Sequence, residues 1–490
     1  MEVQRFDVIA VGGGPGATPG AQYLARHGRR VAIVEQGEGL GGTCLFEGCI
    51  PSKIFLETAA RRRAMRAGSE FGLPEFNDTP VRLDVLRARK RAILAQRVAG
   101  AQNVSRQLGL TLFRGRAELL GEHQLLVHPG DADPVVLEAD ILILAPGSTS
   151  RTLGVPGGDG SGLWTSREAL ELAEIPARLA IIGAGYIGME LATLYEALGS
   201  TVHVLEMAPA ILPSEDPQIA HHLQTVWEKA MPSVTVETGI ELRAIGDVAD
   251  TSGAKQVTYR RADGSSARLK ADRVLVAVGR LPNTGTLDWE RAGITLGPGG
   301  EVPVNAVYQT AVPHIYAPGD VNGQVMLAHA ATRQSLIAAQ HILGRPTFHT
   351  ALVVPHVIFT WPEIAAVGAD SRDLARHPRW TLTRWPYAQD ARALIVGDDA
   401  GYAQLIWDRD SGALKGLQVI GAEAGELLAE ATYAITHHGT VESLVAAIHA
   451  HPTLNEVVSD VATEAWTQAH DLRHGRGADP AGERPGPPTA

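Results

Sequence analysis

Two glycine-rich segments of this chain share one layout, and no other feature constrains its fold as strongly. Each segment has an apolar run, a GxGxx(G/A) turn, a helix-like stretch and a second apolar run that ends in Glu. Gly12 and Glu35 are 23 residues apart, and so are Gly183 and Glu206. A single match is weak, because glycine-rich turns are common. Two matches of equal length predict two strand–turn–helix–strand units, each of which binds a dinucleotide.

Each position of this pattern has a physical role. The first glycine allows a tight turn, the second lets the backbone approach a pyrophosphate, and the last small residue lets the helix pack closely on the strand. The helix start then offers free N–H groups to the phosphates, and the terminal acid accepts hydrogen bonds from a ribose diol. The predicted binding residues are Gly12, Gly14, Pro15, Gly16, Ala17 and Glu35 in the first unit, and Gly183, Gly185, Tyr186, Ile187, Gly188 and Glu206 in the second.

The second acid also indicates which nicotinamide nucleotide binds. Glu206 is followed by Met207, Ala208 and Pro209, with no Arg or Lys beside it to hold a 2′-phosphate. A carboxylate at this position accepts a 2′-hydroxyl and repels a phosphate, so the sequence favours NAD(H) over NADP(H). Two units in one chain suggest two dinucleotides, and FAD with NAD is the natural pair.

Composition excludes other classes of function. The chain has 490 residues, enough for about three domains. Its 54 acids outnumber its 43 bases, for a formal net charge of −11, which argues against a nucleic-acid partner. No apolar run reaches membrane-spanning length, and the N-terminal residues lead straight into a strand-like run without a signal-peptide layout. We therefore expect a soluble cytoplasmic protein.

The chain's two cysteines, Cys44 and Cys49, both lie in the segment GGTCLFEGCIPSK. A zinc site would need four ligands, and only Glu47 lies between the thiols, so no metal is predicted. Two inert buried thiols are the simpler alternative. However, a helix is predicted to start near Pro51, which would place Cys49 beside a helix N-terminus that stabilises a thiolate. A thiol of low pKa with a partner nearby favours a reversible disulfide.

This segment resembles the redox centre of the pyridine nucleotide-disulfide oxidoreductases of class I, FAD flavoproteins that include dihydrolipoamide dehydrogenase, glutathione reductase and mercuric reductase. The resemblance extends through about residue 468. Further segments that resemble family motifs, in the expected order, are LILAPGS (142–148), VLVAVGRLPNT (274–284), TAVPHIYAPGDVNG (310–323), MLAH (326–329), VPHVIFTWPEIAAVG (354–368) and HAHPTLNE (449–456).

The resemblance implies an α/β fold with two Rossmann-like dinucleotide-binding domains, one for FAD and one for NAD, and a C-terminal α+β dimerisation domain. The implied boundaries are 1–150 for the FAD domain with the redox disulfide, 151–275 for the NAD domain, 276–348 for a central part that completes the FAD site, and 349–468 for the dimerisation domain. The remaining tail, 469–490, is polar and rich in Pro and Gly, and is predicted to be disordered.

The resemblance also assigns roles to individual residues. Cys44 would meet the substrate, and Cys49 would lie against the flavin. Lys53 would lie by the flavin near Glu190. His449 and His451 both lie in the last motif, and by resemblance His451 is the catalytic base, with Glu456 holding the imidazole in one tautomer. The implied FAD contacts add Gly42, Thr43, Lys53, Ala117, Gly147, Ser148, Gly319, Asp320, Met326, Leu327, Ala328 and His329, and the NAD contacts add Glu190 and Gly279.

Within the family, the residues favour the activity of dihydrolipoamide dehydrogenase. There is no third cysteine for the extra C-terminal redox pair of mercuric reductase and the large thioredoxin reductases. Glu206 argues against the NADPH-dependent glutathione reductases. The expected enzyme is a homodimer that oxidises the dihydrolipoyl group of a lipoylated carrier protein and reduces NAD⁺, with His451 supplied by the partner subunit. Alternatives are a reductase of another small disulfide, an NAD-binding redox sensor, or a structural subunit.

Some positions depart from the family pattern. Phe46 and Glu47 lie between the cysteines, Pro146 replaces a common Thr, and Ala330 replaces a common Lys. An acid between the cysteines is expected to raise the pKa of the thiols and shift the disulfide potential. The sequence does not identify the lipoyl carrier.

Overall fold

A computed structural model describes residues 3–77, 79–130, 132–160, 162–248, 253–347 and 352–473. The chain forms two compact units. The first contains the residues up to Pro209 and Ser233–Leu352, and the second contains Ala210–Pro232 and the chain from Val353 onward.

The first unit contains a seven-stranded sheet with a parallel centre. Val8 pairs with Val31 on one side and with Ile141 on the other. Both faces of these central strands are covered, which explains why they read as continuous apolar runs rather than as an alternating pattern. The strands, in spatial order, are Thr111–Arg114, Val31–Glu35, Val3–Val11, Val135–Leu144, Gln124–His128 and Arg116–Leu119, and Ile315–Tyr316 pairs with Val135–Leu144.

A second parallel sheet in this unit repeats the same construction. Strand Arg178–Ile182 lies beside Thr201–Leu205, and helix Tyr186–Leu198 connects them, as helix Thr18–Arg26 connects the corresponding strands of the first sheet. The strands of the second sheet, in spatial order, are Val234–Glu237, Thr201–Leu205, Arg178–Ile182, Arg273–Val276 and Leu163–Trp164. Smaller antiparallel pairings join Glu241–Asp247, Lys255–Arg260 and Ser266–Ala271, and separately Ser148–Ser150 and Arg280–Pro282.

Two other helices of the first unit carry the cysteines and Lys53. Helix Cys49–Arg66 begins two residues before the predicted start at Pro51. Pro51 is tolerated inside the first turn because the first N–H groups of a helix have no intrahelical partner. The remaining helices are Gly42–Phe46, Leu83–Gln107, Ser166–Glu171 and Ala328–Ile342, with 3₁₀ turns at Ala67–Phe71, Trp289–Ala292 and Asp320–Asn322.

The second unit is an antiparallel five-stranded sheet with helices packed on it. Its core includes Tyr387, Trp407, Val457 and Val461, all fully buried. The strands, in spatial order, are His356–Ile358, Glu363–Gly368, Leu414–Gly421, Tyr402–Asp408 and Trp380–Pro386. The helices are Pro217–Ala230, Ala391–Val396, Leu428–Thr436, Val441–Val445 and Glu456–Arg473, with 3₁₀ turns at Ser371–Ala375 and Tyr387–Gln389. The predicted α/β class, with two dinucleotide-binding units and a C-terminal α+β part, is confirmed.

The predicted domain boundaries differ from these units in two places. Segment 210–232, predicted within the NAD domain, groups with the C-terminal unit, where the Trp227 indole N–H donates to the Trp361 carbonyl oxygen at 2.7 Å. The last helix runs five residues past the predicted boundary at 468, because Ala469 packs into the core. Residues 348–351 at the other boundary, and the rest of the predicted tail, 474–490, lie outside the described residues.

Among the described residues, none of the helices has an apolar stretch long enough to cross a membrane.

Candidate active site

The first glycine loop has the geometry that its sequence predicts. Gly12 has a φ of 98°, and a Cβ added there would lie 2.3 Å from the carbonyl oxygen of Ala145, so only glycine fits. The Glu35 carboxylate accepts hydrogen bonds from the backbone N–H groups of Gly13 and Gly37. Glu35, at the end of the second strand, therefore holds the glycine loop at the carboxyl ends of the two strands.

The space in front of this loop fits a pyrophosphate. A Cβ added at Gly14 would meet nothing nearer than the Cα of Gly42, at 3.7 Å. Helix Thr18–Arg26 starts there without a side-chain cap, but its first N–H groups are already used. Thr18 donates to the Gly14 carbonyl oxygen at 3.0 Å, Pro19 has no N–H, and Gly20 donates to the Ser335 hydroxyl at 2.9 Å, so a pyrophosphate would meet the glycine loop rather than the helix start. Conversely, a Cβ at Gly42 would lie 2.7 Å from the Cα of Gly14. The segment that carries Thr43 and the first cysteine thus packs directly against the loop.

A distant segment completes this set. A Cβ at Gly16 would lie 2.7 Å from the carbonyl oxygen of Pro318, so Gly319 and Asp320 lie beside the helix start. The Ser148 hydroxyl donates to the Asp320 carboxylate at 2.6 Å. The structure therefore brings Asp320 and Ser148 to the first glycine loop although they lie far apart in sequence, as the FAD prediction requires.

The other residues of the FAD prediction have different environments. Ala117 has its side chain in the apolar core, so only its backbone can contact a ligand. Gly115, two residues earlier, donates its N–H to the Glu35 carbonyl oxygen at 3.0 Å. Gly147 has a φ of 79° and open space where a Cβ would be. Met326, Leu327, Ala328 and His329 form the start of helix Ala328–Ile342, which has no side-chain cap.

The second glycine loop repeats the geometry of the first. A Cβ at Gly183 would lie 2.5 Å from the carbonyl oxygen of Ala277. The Glu206 carboxylate accepts the N–H groups of Ala184 at 2.6 Å and Ala208 at 2.7 Å. These are the positions that Gly13 and Gly37 occupy around Glu35. The two segments of equal length thus fold into two equivalent loops.

The second loop also leaves room for a dinucleotide. A Cβ at Gly185 would meet nothing within 4 Å, and Gly185 caps helix Tyr186–Leu198 without a side-chain hydrogen bond. Gly188 packs so closely on the loop that a Cβ would lie 2.0 Å from the Gly183 oxygen, and Ile187 follows Tyr186 in the helix's first turn. Gly279 has a φ of 105° and open space in front of it. The donor set and the open space fit a dinucleotide phosphate.

The two cysteines lie together as free, half-buried thiols. Cys44 is within helix Gly42–Phe46, and Cys49 is the first residue of helix Cys49–Arg66. Donation from the Cys44 thiol, followed by the positive charge of Lys53, lowers the pKa of Cys49 to about 7. The same hydrogen bond and burial raise the pKa of Cys44. The first proton of the pair is therefore expected to leave from Cys49, which begins a helix.

Lys53 lies one turn after Cys49 and forms an ion pair with Glu190. Its Nζ lies 2.8 and 2.9 Å from the two carboxylate oxygens, and the Glu190 side chain is buried. Glu190 lies on helix Tyr186–Leu198, so the pair ties the redox helix to the second dinucleotide loop. At the start of that helix, Tyr186 is in electrostatic range of Cys49 and Asp320. The two predicted cofactor sets thus converge on the cysteines.

Arg280 was not predicted, although it contacts the candidate site. Its Nε donates to the Ser148 hydroxyl and one terminal nitrogen donates to the Ser148 carbonyl oxygen, both at 2.7 Å. It therefore fixes the serine that holds Asp320. The only sequence signal was its place at the end of the VLVAVGR strand, where it follows Gly279.

The reduced cysteine pair should show its first deprotonation near pH 7. We expect the rate of alkylation of the reduced holoenzyme by iodoacetamide to rise with pH about a midpoint near 7, because Cys44 and Lys53 stabilise the Cys49 thiolate. Peptide mass spectrometry of the two cysteines at each pH measures it. The Cys44→Ala variant, which lacks the donor, should shift the midpoint toward the ordinary thiol range. An unchanged midpoint in that variant would mean that the hydrogen bond from Cys44 does not lower the pKa of Cys49.

The second unit contains the predicted base. The His451 ring is largely exposed, and its Nδ1 lies 3.0 and 3.2 Å from the two carboxylate oxygens of Glu456. One of these oxygens also accepts the Thr453 N–H at 2.9 Å. The hydrogen bond from Thr453 and the one from His451 both lower the pKa of Glu456. A carboxylate that stays ionised fixes the tautomer with Nδ1–H and leaves Nε2 free to accept a proton.

The other histidine of the same motif has a different environment. The ring of His449 is buried, and its Nε2 lies 2.8 Å from Glu430 Oε2. Its Nδ1 has no hydrogen-bond partner among the described residues. A buried ring cannot meet an external thiol, which agrees with the choice of His451 as the base. Among the described residues there is also no group of three or more His, Cys, Asp or Glu that could hold a metal ion.

Two family models match the chain. The first, described as pyridine nucleotide-disulphide oxidoreductase, matches residues 6–335, and the second, described as the dimerisation domain of the same proteins, matches residues 354–462.

Two similar curated proteins are named dihydrolipoyl dehydrogenase. Dihydrolipoyl dehydrogenase of Haloferax volcanii is 35% identical and aligns over 94% of this chain and 97% of its own length. Dihydrolipoyl dehydrogenase of Bacillus subtilis is 34% identical and aligns over 92% of this chain and 96% of its own length.

Two solved structures share the fold over almost their whole length. The crystal structure of LpdA from Mycobacterium tuberculosis is 26% identical and has a TM-score of 0.85, with 94% of this chain and 99% of that one aligned. The HOCl-induced flavoprotein disulfide reductase RclA from Escherichia coli is 25% identical and has a TM-score of 0.82, with 93% and 99% aligned.

Proposed function

Because the chain belongs to the pyridine nucleotide-disulphide oxidoreductase family, we propose that it oxidises dihydrolipoyl groups to lipoyl groups and reduces NAD⁺, reversibly. The observation that carries this proposal is the thiol pair Cys44–Cys49, which lies between two dinucleotide loops and beside the Lys53–Glu190 ion pair. The relatives named dihydrolipoyl dehydrogenase, similar over nearly the whole chain, support the choice of substrate.

Members of this family use FAD and NAD(H), so both predicted cofactors are confirmed. We assign FAD to the first loop with Gly42, Ser148 and Asp320, and NAD to the second loop with Gly279. When bound, FAD carries an electron pair between the dithiol and the nicotinamide nucleotide. The Lys53 ammonium, beside Glu190, supplies a positive charge at this place.

The thiol exchange follows from the positions of the cysteines and from the predicted base. In the proposed homodimer, Nε2 of His451 of the partner subunit takes a proton from one thiol of the dihydrolipoyl group. The resulting thiolate attacks Cys44 and breaks the Cys44–Cys49 bond, and Cys49 leaves as a thiolate. The second dihydrolipoyl sulfur then attacks the first and breaks its bond to Cys44, which closes the lipoyl disulfide. The proton of the second thiol passes to Cys44 as it leaves. The low pKa of Cys49 makes it the better leaving group.

We propose that the second loop selects NAD(H). Its Glu206 carboxylate lies where an NADP site needs a cation, so NADH should exceed NADPH in kcat/KM by roughly 100-fold. Glu206→Arg should narrow the gap about tenfold or more, because it replaces repulsion with attraction. The control is Glu228→Arg, which adds the same charge at an exposed position of the other unit and should leave the ratio unchanged. Equal use of both nucleotides by the unmodified protein would refute the assignment.

A panel of disulfides tests the proposed substrate. The holoenzyme is supplied with NADH and, separately, lipoamide, glutathione disulfide or an artificial acceptor, and NADH oxidation is recorded. We expect lipoamide to be the preferred disulfide. Preference for glutathione disulfide would favour another small-disulfide reductase. Turnover with the artificial acceptor alone would favour a redox sensor or a structural subunit.

A further inference from the structure

Glu47 lies on the short link between the two redox cysteines, where the family pattern has no acid. Its backbone N–H donates to the Thr43 carbonyl oxygen at 2.9 Å, and it ends the helix that carries Cys44. An unpaired carboxylate at this place would disfavour a thiolate nearby, because like charges repel. The sequence therefore predicted raised pKa values for the thiols. In the structure the hydrogen bond between the thiols and burial raise the pKa of Cys44, and donation from Cys44 lowers the pKa of Cys49.

In the structure Glu47 forms an ion pair with an arginine. Oε1 of Glu47 lies 3.2 Å from a terminal nitrogen of Arg167, and the glutamate side chain is only 34% exposed. The two residues are 120 positions apart in the chain. The neighbouring Glu168 is in electrostatic range of Arg167, but its carboxylate accepts the Thr165 N–H at 2.7 Å and caps its own helix.

The short helix that carries Arg167 is firmly held. Nζ of Lys90 donates to the Leu170 carbonyl oxygen at 2.9 Å, and the Tyr195 hydroxyl donates to the Ala169 carbonyl oxygen at 2.7 Å. The backbone of Arg167 is therefore held by contacts that do not involve Glu47.

We propose that Arg167 is the counter-ion of Glu47 and a positioning residue for the redox pair: it neutralises the acid that lies between the two cysteines. This inference rests on the proposed redox use of the pair. It extends the site to a residue 118 positions beyond Cys49 that touches neither the thiols nor a cofactor set.

The charges around the thiols fix the sign of the expected effect. Lys53, on the same helix, lowers the pKa of Cys49, and Glu190, on helix Tyr186–Leu198, raises it. Removing Arg167 takes away the counter-ion of Glu47 and leaves an added negative charge near the pair. The first deprotonation of the pair should then need a higher pH. Removing Glu47 together with Arg167 removes the added charge, so the midpoint should return to its original value.

The test is the pH dependence of iodoacetamide alkylation of the reduced holoenzyme, with each cysteine quantified by peptide mass spectrometry. The variants are Arg167→Gln, Glu47→Gln, the double variant, and Arg167→Lys, which keeps the charge. At pH 6.5, on the rising limb, Arg167→Gln should be alkylated about threefold more slowly than the unmodified protein, the size expected of a partly exposed ion pair. The double variant and Arg167→Lys should match the unmodified protein. Glu57→Gln, which removes an acid paired with Arg61 on the same redox helix, is the matched control.

Each outcome decides the proposal. An unchanged rate in Arg167→Gln, or a double variant as slow as Arg167→Gln, would overturn it. If alkylation of Glu47→Gln were slowed as much as that of Arg167→Gln, the proposal would also be overturned. That result would mean that the Glu47–Arg167 ion pair acts by holding the link between the cysteines rather than by cancelling charge. Alkylation needs no turnover, so failure here is distinguishable from failure of the proposed activity, which the disulfide panel tests.

Discussion

Replacing Cys44 with Ser is expected to lower dihydrolipoamide-dependent NAD⁺ reduction by roughly a thousandfold or more, because the substrate thiolate then has no disulfide to attack. The structure places this thiol against Cys49, the better leaving group, so the two sulfurs act as one unit. Cys49→Ser should cause a loss of similar size. Steady-state NADH formation at saturating NAD⁺ measures both.

The same variants have an internal control. Oxidation of NADH by an artificial one-electron acceptor needs neither sulfur and should survive in each, provided that FAD is bound. Retention of dihydrolipoamide turnover in either variant would mean that the two cysteines are not the redox centre, and their proximity would then be structural.

His451→Gln is expected to lower kcat/KM for dihydrolipoamide by roughly 100- to 10,000-fold, the contribution typical of a general base. The exposed imidazole is oriented by Glu456, and glutamine cannot accept the thiol proton. The substitution changes neither cysteine and none of the proposed FAD or NAD contacts, so artificial-acceptor turnover should be unchanged. Raising the pH should partly restore the rate, because more of the substrate is then already a thiolate.

A matched control separates this effect from the loss of any histidine. His221→Gln changes an exposed histidine on helix Pro217–Ala230 and should leave turnover unaffected. If His451→Gln kept normal turnover at neutral pH, the base would have to be sought elsewhere.

The sequence predicted those parts of the site that depend on local constraints. Gly12 and Gly183 are each required by a positive φ and by a close carbonyl oxygen, and such requirements appear directly as glycine spacing. The acids Glu35 and Glu206 close equivalent loops because each ends a strand at the same distance from its turn. A repeated pattern of this kind specifies local structure fully enough to be recognised without coordinates.

The parts that were not predicted depend on contacts between distant segments. Arg280 reaches Ser148 across 132 positions, and Arg167 reaches Glu47 across 120. Arg280 lies in a motif that resembles the family, but nothing in that motif indicates Ser148, and the sequence around Arg167 is that of an ordinary surface residue. A sequence pattern contains the acid Glu47 but not its counter-ion, so the pairing with Arg167 could not be predicted.

The grouping of segment 210–232 shows the same limit. Position in the chain suggested the NAD domain, but Asp216 accepts the Ser371 N–H at 2.8 Å and Trp227 donates to Trp361. These bonds join the segment to the C-terminal unit. Tertiary contacts of this kind override sequence proximity, and no periodic pattern in the segment indicates them.

The most direct measurement for the central claim is NADH formation by the purified holoenzyme from dihydrolipoamide and NAD⁺, recorded in parallel with the Cys44→Ser variant and with reduced glutathione as the competing thiol. The account predicts rapid NADH formation with dihydrolipoamide, a rate at least about a hundredfold lower with glutathione, and almost none in the variant. Equal rates with the two thiols, or NADH formation that persists without Cys44, would contradict it.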